Sequence, residues 1–459
     1  MYKKLHTYFV GIGGIGMSGI AEILLNLGYP VSGSDMKQTN ITKRLKRLGA
    51  KIYIGHQAKN IQNIDVVVAS SAIKTTNPEI VAAKKQNIQV IQRAEMLAQI
   101  MRLAKYGIAV AGTHGKTTTT SILASVLQAG KVDPTIIIGG KVKSLRSTAK
   151  LGKGDFMLAE ADESDGSFLK LMPTIAVVTN MDHEHMDHYG SFENYRLAFQ
   201  TFCNQIPFYG LNILCGEDSE THSLSKKIKT RYVLYGFSPR HDYNARNLTY
   251  QGTLCQYELY HKDTFVDKII LSVPGKHNVL NSLACIAVAE EIGMNLNKIK
   301  KGLAAFKGVG RRLEILFKNS NITAIDDYGH HPSEILATLK TVKQAFPGRL
   351  VVLFQPHRYS RTKDLFGAFV NSFDKVDHLF ITSIYAASES PIKGISGKNL
   401  ADKIRKRNKT TVDYVPQTKT IVNKVLAELK QGDVFLSLGA GDVTYMSRNI
   451  ARELAKRFI

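Results

Sequence analysis

The stretch Val110-Ala111-Gly112-Thr113-His114-Gly115-Lys116-Thr117-Thr118 constrains this chain more than any other. Apolar residues Ile108 to Ala111 read as a buried strand that runs straight into a glycine turn, and a helix is expected to start at Lys116. Strand, glycine turn and helix in that order belong to a parallel α/β sheet. Backbone N–H groups in such a turn, together with the positive end of the helix, make a cradle for phosphate. Lys116 adds a point charge toward the outer phosphates, and Thr117 a hydroxyl suited to Mg²⁺. The spacing departs from the usual phosphate loop in one respect: Val110 stands where that pattern has glycine. The rest of the chain is therefore read around a bound nucleoside triphosphate.

At 459 residues the chain has room for about three domains, each with its own core. The net charge of +23 would suit nucleic acid or anionic ligands, but it is spread over exposed helical faces such as Lys43-Arg44 and Lys46-Arg47. That pattern reads as a solvated basic surface, and no nucleic-acid partner is expected. Cys203, Cys215, Cys255 and Cys285 show no CxxC spacing, which fits a reducing compartment and a cytoplasmic location. The uncharged run Leu5 to Ala21 is interrupted by glycines and ended by Glu22 without a small-residue cleavage site. No segment reaches the length of a membrane span, so no membrane partner is expected.

Residues 1–104 alternate apolar strands (Tyr8 to Gly11, Val31 to Gly33, Lys51 to Ile54, Val66 to Ala69) with helical patterns at Ile15 to Leu27 and Ile41 to Leu48. The first turn, Gly11-Ile12-Gly13-Gly14-Ile15-Gly16, fits G-x-G-x-x-G, and Asp35 ends the second strand. Alone, that predicts a nicotinamide-dependent dehydrogenase. The physics specifies only a diphosphate on a helix N-terminus, which a UDP-sugar satisfies equally well. Ser70 and Ser71, after the Val66 strand, fall on the same ligand-binding edge, either as ligand contacts or as a turn or cap.

A second domain, 105–306, continues from the phosphate loop through strands Phe156 to Ala161 and Ile175 to Thr179. Both end in polar clusters, Glu160 to Asp165 and Asn180 to His188. Carboxylates at strand ends beside a phosphate loop are what a Mg²⁺ site needs, because the hard cation takes oxygen ligands and shares its shell with the phosphates. The second cluster lacks H-E-x-x-H spacing and a cysteine partner, which argues against zinc. Residues 208–273 read as a β-rich elaboration on one edge. An apolar helix is expected over Ser282 to Ile292, with Asn278 and Asn281 either capping it or reaching the nucleotide.

Lys307 to Arg312 reads as the hinge into a third α/β domain, 307–459, with strands Ile322 to Asp326, Leu350 to Phe354, His378 to Ile381 and Val434 to Leu438. Two of these strands end in dense polar runs, Asp326 to Glu334 and Gln355 to Thr362. Pro332 suits the first turn of a following helix. Arg358 and Arg361, beside His357, are placed to bind a carboxylate in bidentate fashion.

With these residues assembled, the chain resembles the Mur ligase family nearly end to end. Gly112 to Thr117 looks like that family's phosphate-loop variant, which accounts for Val110. The opening Phe9 to Gly19, Asp326 to Glu334 and Gln355 to Thr362 look like its alanine-adding branch. The resemblance implies three consecutive α/β domains with mainly parallel sheets: Rossmann-like, phosphate-loop ATPase, Rossmann-like. It puts the UDP-sugar UDP-N-acetylmuramate on Gly11, Gly13, Gly14 and Gly16, with Asp35, Ser70 and Ser71 nearby. ATP falls on Gly112, Thr113, His114, Gly115, Lys116, Thr117 and Thr118.

The resemblance further implies that Lys116 stabilises the transferring phosphoryl group, while Thr117, Glu160 and His185 organise Mg²⁺. Asn278, Asn281, Arg312 and Asp327 would complete the nucleotide site. Tyr328, His357, Arg358 and Arg361 would hold L-alanine. Several relatives carry a modified, carbamylated lysine on the helix after His185; here Tyr195 to Phe202 has no lysine, so none is expected. A monomer or weak homodimer is expected. A dehydrogenase reading leaves Lys116, Glu160 and Arg358 without a role, and a nucleic-acid-dependent ATPase reading rests on the charge alone.

Overall fold

The computed structural model describes residues 4–70, 73–138, 149–407, 410–416 and 418–457. It falls into two compact units: Met1–Leu248 with Gln256–Leu271 and Asn278–Lys307, and Gly308–Ile459 with Thr249–Cys255 and Ser272–His277. Three sheets run through them, and most of the strand pairs are parallel.

The first unit opens with strands β1 (Thr7–Val10), β2 (Val31–Asp35), β3 (Lys51–Ile54), β4 (Val66–Ala69) and β5 (Gln89–Gln92). Their order is β3-β2-β1-β4-β5, all parallel. β1 thus lies at the point where the winding reverses, and the turn after it opens into the crevice at the strands' carboxyl ends. Gly11, with φ +79°, makes that turn; Gly11 N and Ile12 N both donate to Ser34 O at 2.9 Å. The helix Ile15–Asn26 follows immediately.

The central sheet has ten strands: β6 (Tyr106–Ala111), β7 (Thr135–Ile137), β8 (Ala149–Lys150), β9 (Phe156–Glu160), β10 (Ile175–Val178), β11 (Leu211–Cys215), β12 (Tyr232–Gly236), β13 (Tyr243–Gln251), β14 (Leu254–His261) and β15 (Thr264–Leu271). The order is β15-β14-β13-β12-β11-β10-β6-β9-β7-β8. β6 pairs in parallel with both β9 and β10, so their carboxyl ends flank the phosphate loop. Its Tyr-Gly-Ile-Ala-Val-Ala sequence is buried from Gly107 onward, as expected of a strand covered on both faces. The β-rich stretch after residue 208 supplies the far edge of the sheet and also holds a short helix, Ser219–Ser225.

The helix Lys116–Ala129 starts where the sequence places it. Its threonine-rich first turns are tolerated because hydroxyls bond back into the helix: Thr120 Oγ1 donates to Lys116 O at 2.9 Å and Ser121 Oγ to Thr117 O at 2.6 Å. Buried residues of the first two sheets form one continuous apolar core, from Phe9 and Met96 to Ala109, Met157 and Phe199. The expected helix over Ser282 to Ile292 is longer, Lys276–Glu291. Its first turn is polar, which hid it from an apolar-period reading. Asn278 and Asn281 are consequently inside the helix, both buried, and do not cap it.

The second unit carries β16 (Glu314–Lys318), β17 (Thr323–Asp327), β18 (Leu350–Phe354), β19 (His378–Ile381), β20 (Thr411–Tyr414) and β21 (Val434–Leu438), in the order β16-β17-β21-β18-β19-β20. Only β16 joins antiparallel. Two apolar layers, one around Ile335, Leu339 and Phe354, the other around Val351, Phe435 and Ile450, cover its faces.

Candidate functional site

In the phosphate loop, Gly112 (φ +125°) and Gly115 (φ +85°) adopt left-handed backbone. A Cβ at Gly112 would fall 2.1 Å from Thr179 Oγ1, so the loop passes against the end of β10 where only glycine fits. Asn180 holds the loop from that side: its Oδ1 accepts from His114 N at 2.8 Å, and its carbonyl from Thr113 N at 3.0 Å. The buried Thr113 hydroxyl meets Tyr195 Oη at 2.8 Å and accepts from Asp182 N at 2.8 Å. His114 Nε2 lies 3.0 Å from Asp182 Oδ2.

Lys116 Nζ donates to Gly112 O at 2.5 Å, to Thr113 O at 3.2 Å and to Glu163 Oε1 at 2.8 Å. Burial is the largest single influence and works against its charge, but Glu163, Asp162 and Glu160 together outweigh it and hold the ammonium above the usual lysine range. Thr117 Oγ1 donates to Glu160 Oε2 at 3.1 Å. His185 Nε2 lies 3.5 Å from Glu163 Oε1 and from Glu184 Oε2, on a residue with left-handed φ of +62°. Lys116 and His185 thus meet on Glu163, while Thr117 pairs with Glu160, whose charge also acts on Lys116.

Glu163 was not singled out from the sequence, although it stands in the acidic run after β9. It is 1% exposed, and its Oε2 has no hydrogen-bond partner among the described residues. A buried carboxylate oxygen left over in the acidic run that follows β9 is a hard oxygen donor of the kind a divalent cation takes. Asn281 lies next to the loop: a Cβ on Gly115 would come 3.1 Å from its Oδ1, and its Nδ2 donates to Asn278 Oδ1 at 3.4 Å.

The glycine turn after β1 is held from beneath by Asp35, whose Oδ2 accepts from Gly13 N at 2.9 Å. A Cβ on Gly13 would come 2.7 Å from the same oxygen. Gly14 is the N-cap of the following helix, and Gly16 lies under Arg93, whose Nη1 would be 3.0 Å from a Cβ there. Arg93 also reaches Asp162 Oδ2 at 3.0 Å, in the acidic run beside Lys116. It therefore connects the first glycine turn to the acidic run after β9, a role that a lone arginine at a helix start does not advertise in sequence. Ser70 follows β4 at the strand's carboxyl end; Ser71 lies outside the described residues.

In the second unit, Asp327 at the end of β17 is buried and accepts from Leu313 N at 2.8 Å and Gly329 N at 2.9 Å; burial pushes its carboxyl above the usual range. Arg312 Nη1 bonds Glu334 Oε1 at 3.2 Å; despite burial, Glu334 and Asp327 hold the guanidinium above its ordinary value. Glu334 belongs to a helix, Pro332–Ala345, that starts on Pro332 as expected. The Arg311 and Arg312 guanidiniums lie 4.9 and 5.0 Å from the centre of the Tyr328 ring.

His330 packs edge-on to Tyr328 at 5.2 Å and to His357 at 5.7 Å. Arg361 Nη1 lies 3.3 Å from His357 Nδ1. Burial, reinforced by Arg361 and Arg358, lowers His357 to about 4 and keeps its ring neutral. Arg358 caps the helix Tyr359–Asp364 in left-handed backbone, φ +68°. The structure thus brings Tyr328, His357, Arg358 and Arg361 together through His330, which lies within the polar run Asp326 to Glu334 but is not marked by the sequence as a site residue.

A phosphate-loop sheet that in chain order follows one parallel α/β sheet and precedes another, with carboxylates at the ends of the strands beside the loop, defines an ATP-dependent ligase class. Profiles of the Mur ligase family match along the chain: its catalytic domain over residues 6–105, its middle domain over 110–289 and its glutamate ligase domain over 311–441. The chain belongs to the Mur ligase family. The UDP-N-acetylmuramate--L-alanine ligase of Geobacter sulfurreducens is 52% identical over 446 residues, covering 96% of each chain. That of Myxococcus xanthus is 50% identical over 449 residues, 97% of this chain and 95% of its own. Among solved structures, the UDP-N-acetylmuramate-alanine ligase MurC of Thermotoga maritima superimposes with TM-score 0.85 at 31% identity, covering 99% of this chain and 100% of that one.

Proposed function

We propose that this protein uses ATP to join L-alanine to the lactyl carboxylate of UDP-N-acetylmuramate, an ADP-forming step of peptidoglycan precursor synthesis. The observation that carries the reading is the cluster of Lys116, Thr117, Glu160 and Glu163 at one loop, in a chain half identical to enzymes named for that reaction.

On this reading residues 1–104 bind the UDP-sugar, 105–306 bind ATP and 307–459 bind the amino acid, with Gly308 to Arg312 as the hinge. The sugar diphosphate lies on Gly11, Gly13, Gly14 and Gly16, under Arg93, near Ser70 and Ser71, with Asp35 bracing the loop. ATP lies on Gly112 to Thr118, with Asn278 and Asn281 beside the loop and Arg312 and Asp327 completing the nucleotide site. Thr117, Glu160, His185 and Glu163 would hold Mg²⁺, which when bound neutralises charge on the phosphates. Tyr328, His357, Arg358 and Arg361 hold L-alanine, the arginines facing its carboxylate.

In the first step a carboxylate oxygen of the sugar attacks the γ-phosphorus, the bond to the bridging oxygen breaks and ADP departs, leaving an acyl phosphate. Lys116 compensates the charge that develops on the transferring group. In the second the deprotonated amine of alanine bonds to the acyl carbon and inorganic phosphate leaves. Closure of the domains over the reactants would keep water from the acyl phosphate. The protein acts in the cytoplasm as a monomer or weak homodimer, without nucleic acid or membrane.

The test is phosphate release from ATP and Mg²⁺ with UDP-N-acetylmuramate and, one at a time, L-alanine, D-glutamate or the L-Ala-γ-D-Glu-meso-diaminopimelate tripeptide. Release that requires both the sugar nucleotide and L-alanine is expected. Release with the tripeptide alone would overturn the alanine assignment.

A further inference from the structure

The segment Ile384 to Glu389 follows β19 and has neither glycine nor a run of charge, so nothing in its sequence marks it. In the structure it is tied to the amino-acid site at three points. Tyr385 N donates to Pro356 O and Arg358 N to Tyr385 O, both at 2.8 Å, which makes a parallel bridge between His357 and Tyr385. The Tyr385 ring stacks on the His357 ring at 5.5 Å with 9° between planes. Glu389 accepts from Ser360 N at 3.0 Å and from Ser360 Oγ at 2.6 Å, clamping the turn that carries Arg358 and Arg361.

The Tyr385 ring is also fixed from the side of β21. A Cβ on Gly441 would fall 2.7 Å from Tyr385 Cγ and 2.4 Å from Gln355 Oε1, so the ring rests where only glycine leaves room. Ala387 and Ser388 take left-handed φ of +46° and +73°, conformations that non-glycine residues keep only where their surroundings impose them. With all this, Tyr385 remains 39% exposed. Part of a rigidly held aromatic ring is therefore on offer beside His357.

We propose that Tyr385 is a specificity-determining residue: stacked on His357 and seated on Gly441, its ring closes the amino-acid pocket beyond a methyl group. The proposal rests on the assignment of Arg358 and Arg361 to the amino-acid carboxylate. Arg361 is within hydrogen-bond reach of His357, so an amino acid held by its carboxylate there has its side chain within a few bonds of the His357–Tyr385 stack. An alanine methyl fits against that wall; a longer side chain meets the ring.

The test measures kcat/KM for L-alanine, L-2-aminobutyrate and L-valine by phosphate release from the full chain. The proteins are wild type, Tyr385→Phe, Tyr385→Leu, Tyr385→Ala and Arg361→Ala. Tyr385→Phe should keep the wild-type preference. Tyr385→Ala should lower the alanine-to-valine ratio at least about 10-fold, the discrimination a methylene or two commands in an apolar pocket. Tyr385→Leu should lower it less, and carries the test if Tyr385→Ala does not fold. An unmoved ratio in both, with Arg361→Ala raising the alanine KM, would overturn the role of Tyr385 alone. An unmoved alanine KM in Arg361→Ala would instead overturn the placement of the amino-acid site.

Discussion

Replacing Glu163 by glutamine isolates the interaction on which the phosphate-loop lysine depends. Lys116 is partly buried against the fully buried Glu163, whose charge, 2.8 Å away, is the largest influence keeping its ammonium protonated. Removing one partner of a buried pair costs about 3–5 kcal/mol, because the other charge is left without compensation. Here the lysine retains the carbonyls of Gly112 and Thr113 and the more distant charges of Asp162 and Glu160, so we expect a cost below that range, about 2–3 kcal/mol. For a domain of this size that corresponds to a fall of roughly 4–12 °C in Tm.

The sign with pH follows from the lysine. In the wild type its folded pKa is raised, so the stabilisation is fully present below the unfolded lysine pKa and lost as pH rises through the folded value. In Glu163→Gln burial dominates and the folded pKa falls below the unfolded one, so the penalty is largest at neutral pH and shrinks as pH rises toward the lysine range. Thermal unfolding of both proteins at about pH 6.5 and pH 9.5 reads this directly. Equal Tm values at both pH, or a deficit that grows with pH, would refute the account of Lys116 as a paired, buried cation.

Lys116→Ala should lower kcat by about 10²–10³-fold or more while calorimetric binding of UDP-N-acetylmuramate stays nearly unchanged; unimpaired turnover would remove Lys116 from phosphoryl transfer. Gly112→Ala puts a methyl 2.1 Å from Thr179 Oγ1 at a φ of +125°, and strain of about 1–3 kcal/mol or more should raise the ATP KM sharply without raising that of the sugar nucleotide. Glu79 is fully buried and accepts from Tyr8 Oη, Ser34 Oγ, Asn60 Nδ2 and Gln57 N. Glu79→Gln sets an amide donor among those donors, at about 1–3 kcal/mol, and through the Ser34 carbonyl that holds Gly11 and Ile12 should weaken binding of the sugar nucleotide. Unchanged affinity in a less stable protein would confine Glu79 to structure.

Lys51–Ile54, Val66–Ala69, Leu350–Phe354, His378–Ile381 and Val434–Leu438 were legible to the residue: Val66–Ala69 and Leu350–Phe354 are the unbroken apolar runs that strands between two helical layers require, and Lys51–Ile54, though at the edge of its sheet, is marked by Ile52, Tyr53 and Ile54. Gln89–Gln92 was not: at the edge of its sheet, with glutamine at both ends, it has too little apolar contrast. The start of Lys276–Glu291 was hidden by its polar first turn. The candidate sites divide along the same line. The phosphate cluster is built from a loop and the ends of its two neighbouring strands, each announced by its own polar run, so only the choice of Glu163 within its run had to come from the structure. The wall around Tyr385 depends on how the turns after β18, β19 and β21 meet, and no local pattern encodes that meeting.

The same geometry says how the phosphate loop distinguishes a nucleotide from any other anion. An ammonium has three donors, and Lys116 spends them on Gly112 O, Thr113 O and Glu163 Oε1. A phosphate oxygen entering the loop must therefore exchange for one of those carbonyls, and what the exchange returns is the difference between two bonds to a charged group. A single small anion gains little from it. On the proposed reading, a triphosphate that also engages the helix N-terminus and brings a cation to Glu160 and the second oxygen of Glu163 would make several new interactions at once, and that sum would open the lysine's closed arrangement. Selectivity for nucleotide is then a property of the Lys116–Glu163 pair as much as of the glycine turn, which is why the glutamine substitution is expected to weaken discrimination between ATP and inorganic phosphate as well as stability.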